Sequence, residues 1–177
     1  MYAIASLLDP YSSQKIQELW DYLESDCGLS GIKKTPLPHF SWQGAKDYHF
    51  PQVSELLQKL ANEIAPFAVK TAGLGIFTSE SPILYLPLVK TLQLIKIHKR
   101  IWDAVETKAD QLIDFYAPDS WMPHITLAYQ DLNQQNLPCA FSELAFRPFK
   151  FEITVNNLAV IYQSDQEVGL REEHLFI

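Results

Sequence analysis

The spacing of apolar residues along the chain predicts helices separated by short strands. Apolar residues recur every three or four positions, as on one face of a helix, in three long segments and a short one. These segments predict helices over residues 12–27, 51–66, 91–110 and 137–145, the first capped by Ser12 or Ser13 and ended by Gly28. Short apolar runs between turn residues predict strands over residues 2–8, 37–42, 68–77, 83–89, 121–129, 149–155 and 158–162, with a further short strand in the tail "HLFI".

The order of these elements is repeated along the chain. The first half reads strand, helix, histidine-containing strand, helix, strand, and the segment that begins at Ile83 reads the same way. This indicates an internal duplication within one domain over residues 1–177, with two α+β lobes related by a pseudo-twofold axis. The two histidine-containing strands would then occupy equivalent positions and face one central cleft.

Composition favours an ordinary globular protein. The chain has 177 residues, of which 47% are hydrophobic and 20% charged, and no apolar run reaches the roughly 18–20 residues that span a bilayer. The first ten residues lack a basic segment, and Asp9-Pro10 interrupts their apolar run, so we expect no signal peptide. The two cysteines, Cys27 and Cys139, are too few for a disulfide scaffold, and we expect both as free structural thiols in a reducing cytoplasm.

Charge limits the class of partner. The net charge is −7, whereas long nucleic acids are bound largely through neutralisation of phosphates by Lys and Arg. The basic clusters are "KK" at Lys33-Lys34 and "KIHKR" from Lys96 to Arg100, and both are expected to be solvated faces. The net charge still permits a local basic pocket for one phosphate, because net charge does not report local fields.

One short pattern occurs twice and carries the candidate chemistry. "LPHFSW" at residues 37–42 and "PHITL" at residues 123–127 both place a proline, a histidine and, two positions later, a hydroxyl residue among apolar residues. Strand side chains alternate between faces, so His39 shares a face with Ser41, and His124 with Thr126. The opposite, packing face is predicted to hold Phe40, Trp42, Ile125, Leu127 and Tyr129.

Two imidazoles and two hydroxyls suit acid–base chemistry at phosphorus. Near its ordinary pKa of about 6.5, one histidine can be neutral and accept a proton while the other is charged and donates one. Hydroxyls can donate hydrogen bonds to phosphate oxygens. Either histidine alone is more often structural, but the repetition favours a shared site at His39, Ser41, His124 and Thr126.

Other sites fit the sequence less well. A zinc site needs three or four good ligands, and the two motifs supply two, so we expect no metal and no cofactor. Ser41 lacks the "GxSxG" elbow of a serine nucleophile. The other histidines, which have no hydroxyl residue two positions later, are expected to be surface or structural residues: His49, His98 and His174.

With these motifs, "HFS" at residues 39–41 and "HIT" at residues 124–126, the sequence resembles the 2H phosphoesterase superfamily. That superfamily includes bacterial RNA 2′,3′-cyclic phosphodiesterases, also called 2′-5′ RNA ligase-like proteins, and plant cyclic phosphodiesterases. The resemblance implies a bilobal α+β fold with antiparallel sheets around a central cleft. It also implies metal-independent cleavage of a 2′,3′-cyclic phosphate or a related phosphodiester, with His39 and His124 as general acid and base and Ser41 and Thr126 as phosphate ligands.

Two departures from the family pattern narrow the expected substrate. Ser41 replaces the commoner threonine, which keeps the hydroxyl, and "LAYQD" follows the second motif where many RNA-directed members carry a basic residue. We therefore expect a nucleotide, an RNA end or another small phosphodiester rather than long RNA or ligation, and a monomer that acts without a membrane. The alternative is a non-catalytic module on the same fold that binds a phosphate ligand or an RNA end.

Overall fold

A computed structural model describes residues 1–164 and 167–177 and confirms the α+β class. The described residues contain four α-helices: α1 (Pro10–Cys27), α2 (Gln52–Glu63), α3 (Leu92–Val105) and α4 (Leu137–Ala145). They also contain ten strands: β1 (Tyr2–Leu7), β2 (His39–Tyr48), β3 (Phe67–Lys70), β4 (Gly75–Phe77), β5 (Ile83–Pro87), β6 (Ala109–Leu112), β7 (His124–Ala128), β8 (Glu152–Val155), β9 (Asn157–Gln163) and β10 (Val168–Leu175).

The strands form antiparallel sheets of unequal size. Within the described ranges, a five-stranded sheet has the order β10-β9-β1-β2-β6, a three-stranded sheet the order β4-β5-β7, and β3 pairs with β8. The helices pack on these sheets around one hydrophobic core. The two histidine-containing strands, β2 and β7, lie in different sheets but contact each other.

Each histidine-containing strand pairs with the strand that precedes it by one helix. In the five-stranded sheet Leu7 of β1 is opposite His39 of β2, and in the three-stranded sheet Pro87 of β5 is opposite His124 of β7. Each motif therefore begins where its strand pairs with the end of the preceding antiparallel strand. A duplication of the whole lobe, helices included, stays a prediction.

Helix α1 begins earlier than predicted, and its cap is not a serine. The Asp9 carboxylate accepts hydrogen bonds from the Ser12 backbone N–H at 3.0 Å and from the Ser12 hydroxyl at 2.8 Å. Pro10 occupies the first turn, where its missing N–H costs nothing. The same carboxylate accepts from Thr154 N at 3.0 Å, so Asp9 also ties the start of α1 to β8. Gly28, at φ 69°, ends the helix as predicted.

The remaining differences from the predicted elements concern strands. The strand predicted over residues 37–42 is β2, which continues to Tyr48. Helix α3 ends at Val105, and residues 109–110, predicted to be helical, form the first half of the edge strand β6. The predicted strand over residues 68–77 is divided into β3 and β4 around Gly73, whose φ of 82° suits glycine. The last strand, β10 (Val168–Leu175), is longer than the short strand predicted in the tail "HLFI". In the edge strands β6 and β10 half of the residues are polar, so their hydrophobic pattern is weak.

The two cysteines form a disulfide, so the prediction of free thiols is wrong. Cys27, at the end of α1, is bonded to Cys139 in α4, and their Cα atoms are 5.7 Å apart. The residues are 112 positions apart in sequence, and chain spacing does not report that the two helices pack together. Because disulfides are typical of oxidising compartments, free thiols no longer support a cytoplasmic location. No helix among the described residues has the length and apolar character to cross a membrane.

Candidate active site

All four motif residues line one cleft between the five-stranded and three-stranded sheets. The cleft has a volume of about 250 Å³, and its walls include His39, Ser41, His124 and Thr126. The backs of both motif strands are buried, as predicted: Phe40, Trp42, Ile125 and Leu127 are each at most 1% exposed. The alternation of the strands thus brings the predicted polar residues together.

Both histidine rings are held in the same way. Nδ1 of His39 lies 2.6 Å from the carbonyl oxygen of Leu37, and Nδ1 of His124 lies 2.6 Å from the carbonyl oxygen of Met122. A carbonyl oxygen only accepts, so each Nδ1 carries the proton and donates it. The neutral ring then has its lone pair on Nε2, which is the atom left for proton transfer.

Burial lowers the pKa of both motif histidines below the ordinary value of 6.5. For His39, the charge that His124 can carry lowers the pKa further, while the hydrogen bond to Leu37 opposes the shift. For His124, the hydrogen bond to Met122 opposes the effect of burial. Each ring is therefore mostly neutral in the free protein at neutral pH, and the two rings are close enough to influence each other's protonation.

A β-bulge follows the first motif. Ser41 of β2 pairs with Ala5 of β1, but the next pair joins Gln43 to Ile4, so Trp42 is an extra residue. A bulge of this kind interrupts the alternation of side chains along the strand. Residues after Trp42 are thus displaced by one position relative to the regular pattern.

The second motif has a bulge at the same place. Thr126 of β7 pairs with Tyr85 of β5, the next pair joins Ala128 to Leu84, and Leu127 is the extra residue. In both strands the bulge comes directly after the motif hydroxyl.

The bulges return the fifth residue after each histidine to the cleft. These residues are Gly44 in β2 and Tyr129 after β7, and both line the cleft. The prediction that Tyr129 lies on the opposite face is therefore wrong, because it assumed regular alternation through Leu127. A bulge depends on the register of the partner strand, which the local sequence does not report.

Tyr116 was not predicted as a site residue, and it packs over Gly44. A Cβ atom at Gly44 would lie 2.8 Å from Cε2 of Tyr116, so only glycine allows this approach. Burial raises the pKa of the Tyr116 phenol, a hydrogen bond with the Ser41 side chain lowers it, and Tyr129 raises it further. Ser41, Tyr116 and Tyr129 thus form a hydroxyl cluster on one side of the cleft.

Two aromatic rings enclose His124. Its ring meets Phe77 edge-on at a centroid distance of 4.9 Å and Tyr85 at 5.1 Å, and those two rings stack on each other at 4.1 Å. Gly75, opposite Tyr85, leaves room for its ring, since a Cβ there would lie 2.5 Å from Cζ. These contacts orient the imidazole and limit its exposure to water.

Two tryptophans fix the motif strands from outside the cleft. Trp121 Nε1 donates to the Ser41 carbonyl oxygen at 2.9 Å, and Trp20 Nε1 donates to the Thr126 carbonyl oxygen at 3.1 Å. The backbone at each hydroxyl residue is therefore held by an indole as well as by its sheet partner. These hydrogen bonds do not involve the hydroxyls themselves.

His98 is a structural residue of this support. Its ring stacks on Trp121 at a centroid distance of 3.9 Å, and its Nε2 lies 3.0 Å from the carbonyl oxygens of both Trp42 and Tyr116. Burial lowers the pKa of His98 to about 4. His98 is only 2% exposed, and it lies outside the cleft, as do His49 and His174.

The described walls of the cleft offer few charged side chains. They include no Lys, Arg, Asp or Glu side chain, and the basic side chains among them are the two histidines. Within residues 1–164 and 167–177, no group of three or more His, Cys, Asp or Glu side chains is arranged to hold a metal ion. The polar side chains that the described walls of the cleft offer are thus mainly imidazoles and hydroxyls.

Comparison with known proteins agrees with the fold. A crystal structure of TT0787 of Thermus thermophilus superposes with a TM-score of 0.67 at 17% identity, covering 99% of this chain and 97% of that chain. A crystal structure described as a phosphoesterase gives a TM-score of 0.59 at 12% identity, with the same coverage of 99% and 97%. No curated protein matches the sequence significantly.

The family is identified from the sequence. The profile of the 2'-5' RNA ligase superfamily matches residues 9–167, a span that contains both motifs and the strands that carry them. The expected relation to 2H phosphoesterases is thereby confirmed: this chain belongs to the 2'-5' RNA ligase superfamily.

Proposed function

We propose that this protein is a metal-independent phosphoesterase that hydrolyses a 2′,3′-cyclic phosphate or a related small phosphodiester of a nucleotide or RNA end. Membership of the superfamily supports phosphoesterase or ligase-like chemistry in general. The observation that carries the finer proposal is the pair of histidines in one cleft, each with Nδ1 engaged by a carbonyl oxygen and Nε2 without a hydrogen-bond partner among the described residues.

The reaction needs one proton acceptor and one proton donor. Nε2 of the neutral histidine takes a proton from water as the water oxygen bonds to phosphorus. Nε2–H of the charged histidine gives a proton to the ribose oxygen as its bond to phosphorus breaks. The product is a phosphomonoester, and each histidine ends in the protonation state that the other began with. The near-equivalence of His39 and His124 leaves the assignment of acid and base to experiment.

The charge of the cleft suits a diester. A cyclic phosphate carries one negative charge, which one imidazolium can balance, and the hydroxyls of Ser41 and Thr126 can donate to its non-bridging oxygens. The bound anion favours the charged form of the nearby histidine and so opposes the pKa lowering caused by burial. Substrate binding would therefore help to create the general acid.

The test is hydrolysis of the four nucleoside 2′,3′-cyclic monophosphates in EDTA, followed by ³¹P NMR, which also identifies the product isomer. His39→Asn and His124→Asn keep a side-chain N–H for the Leu37 and Met122 carbonyls but remove Nε2. Each variant is expected to lose about 10²–10⁴-fold in turnover, and the losses should not multiply in the double variant.

The matched control is His49→Asn, because His49 is exposed, lies outside the cleft, and its ring has Asp110, at 3.3 Å, as its one hydrogen-bond partner among the described residues. This variant should keep wild-type turnover. Near-wild-type activity in either motif variant would refute the two-histidine mechanism. Binding of cyclic nucleotides by a folded wild-type protein without any turnover would favour the non-catalytic binding module instead.

A further inference from the structure

We propose that the cleft continues into a second groove in which Lys34 binds a further phosphate group of the substrate. This inference rests on the proposed function and refines its substrate class. The preferred substrate would be a cyclic phosphodiester whose ribose also carries a phosphoryl group on its 5′ oxygen, rather than a nucleoside cyclic monophosphate.

The second groove opens directly from the catalytic cleft. It has a volume of about 510 Å³ and shares four wall residues with the cleft: Thr35, Tyr129, Gln163 and Val168. A ligand whose cyclic phosphate lies at the histidines can therefore extend past Tyr129 without leaving the protein surface. The combined space exceeds what a cyclic phosphate alone would fill.

Lys34 supplies a lysine side chain, which the described walls of the cleft lack. Among the described residues that line the groove, the Lys and Arg side chains are Lys33 and Lys34. Lys33 is neutralised by Asp21, at 2.6 Å, and by Glu24. Lys34 Nζ contacts the neutral amide oxygen of Gln130, at 3.2 Å, and forms no ion pair within the described parts of the chain. Its charge is thus available to an anion.

The one carboxylate in the described wall of the groove is that of Glu167. Its Oε1 accepts a hydrogen bond from the Tyr162 hydroxyl at 2.6 Å, so the carboxylate is held by a neutral donor rather than by Lys34. A negative side chain here limits how many anionic groups the groove can hold. A single phosphate beside Lys34 fits this charge balance better than a run of phosphates does.

Lys34 lies on an element that is fixed to the catalytic strand. Lys34 ends the 3₁₀ turn Gly31–Lys34, and Asp131, just after β7, accepts hydrogen bonds from Ser30 N at 2.7 Å and Gly31 N at 2.6 Å. A Cβ at residue 31 would lie 2.2 Å from the Tyr129 carbonyl oxygen, so glycine is required for this close contact. The turn, and with it Lys34, is therefore positioned relative to the second motif.

The experiment compares two substrates in each variant: a nucleoside 2′,3′-cyclic monophosphate and the same compound with an added 5′-phosphate. The measured quantity is the preference, the ratio of the two kcat/KM values. In wild type we expect a preference for the 5′-phosphorylated compound through KM. In Lys34→Gln this preference should fall about 3- to 10-fold, as for one charge-assisted contact at an exposed site, and Lys34→Arg should restore it.

Lys33→Gln is the matched control, because it removes the adjacent lysine, whose charge Asp21 and Glu24 already neutralise. It should leave the preference unchanged. The wild-type preference should also decline with added salt, since exposed charges are screened. Absence of a preference in wild type, an unchanged preference in Lys34→Gln, or an equal loss in Lys33→Gln would each overturn the proposal.

Failure of the proposed function is distinguishable from failure of this inference. If wild type hydrolyses neither compound, calorimetric binding of the two cyclic compounds replaces turnover as the readout. Tighter binding of the 5′-phosphorylated compound that is lost in Lys34→Gln and kept in Lys33→Gln would then support the Lys34 site on a non-catalytic protein. Equal affinities of wild type for the two compounds would overturn it.

Discussion

Replacing Thr126 by valine tests whether a motif hydroxyl binds the phosphate. Thr126 is half-buried in the cleft wall, and its hydroxyl makes no hydrogen bond to any described residue. Valine keeps the branched shape and exchanges the hydroxyl for a methyl group. The backbone should not move, because two contacts hold it. Trp20 Nε1 donates to the Thr126 carbonyl oxygen at 3.1 Å, and Thr126 pairs with Tyr85 of the neighbouring strand.

The size of the effect follows from the bond that is lost. A hydrogen bond to a charged group contributes about 1.5–3 kcal/mol, and 1.36 kcal/mol corresponds to about tenfold in rate. Thr126→Val should therefore lower kcat/KM about 10- to 100-fold. Because no protein hydrogen bond is lost, the free energy of unfolding should change by less than about 0.5 kcal/mol.

Kinetics and thermal unfolding are measured on the same sample, with Thr126→Ser as the control. Serine keeps the donor, and its effect should be mild, because the first motif already uses Ser41. A clear loss of stability in Thr126→Val with unchanged kinetics per folded molecule would refute the phosphate-binding role. So would an equal loss of activity in the serine variant.

Three further predictions concern the pKa shifts and the packing of the cleft. Because burial lowers the pKa of His39 and His124, kcat/KM should be bell-shaped with its maximum below pH 6.5, and a flat profile from pH 5 to 9 would contradict acid–base catalysis. His98 has a folded-state pKa of about 4 against an ordinary value of 6.5, so its contribution to stability is complete above pH 6.5 and is lost as pH falls towards 4. Urea unfolding at pH 7.5 and 5 should show wild type losing about 2 kcal/mol more than His98→Gln over that interval, and equal losses would contradict the shift. Gly44→Ala should displace Tyr116, whose Cε2 would lie 2.8 Å from the new Cβ, and lower the free energy of unfolding by about 1–3 kcal/mol in the same assay; unchanged stability and kinetics would show that Tyr116 can move freely.

The parts of the site that the sequence predicted are those that depend on local alternation. His39 and Ser41 share a face because they are two positions apart on one strand, and the same holds for His124 and Thr126. Helix α4 has its predicted bounds, Leu137–Ala145, and its buried residues, Ala140 and Leu144, are four positions apart, as on one face of a helix.

The parts that were missed depend on contacts between distant segments. The bulge at Leu127 exists only in the pairing of β7 with β5, so regular alternation along the sequence predicts the wrong face for Tyr129. Tyr116 reaches the cleft through a short 3₁₀ turn, Asp114–Tyr116, and packs on Gly44, far away in sequence. The disulfide between Cys27 and Cys139 likewise depends on the packing of two helices. None of these contacts has a periodic signal in the chain.

The proline before each histidine also gains a physical explanation from these contacts. In the first motif the Pro38 carbonyl accepts a hydrogen bond from Leu8 N at 3.0 Å, which continues the pairing of β1 with β2. Proline has no N–H, so it cannot itself donate to the sheet. The regular ladder therefore ends there, and the Leu37 carbonyl is engaged by Nδ1 of His39 at 2.6 Å.

The second motif repeats this arrangement atom for atom. The Pro123 carbonyl accepts from Leu88 N at 2.9 Å, and the Met122 carbonyl lies 2.6 Å from Nδ1 of His124. In both strands the proline before the histidine ends the ladder of hydrogen bonds. The carbonyl oxygen of the residue before that proline then accepts the hydrogen bond that fixes the imidazole ring. A packing role alone, such as that of His98, would not require the same proline–carbonyl–imidazole contact twice. The repeated contact instead fits a demand for two imidazoles with the same tautomer, each presenting Nε2.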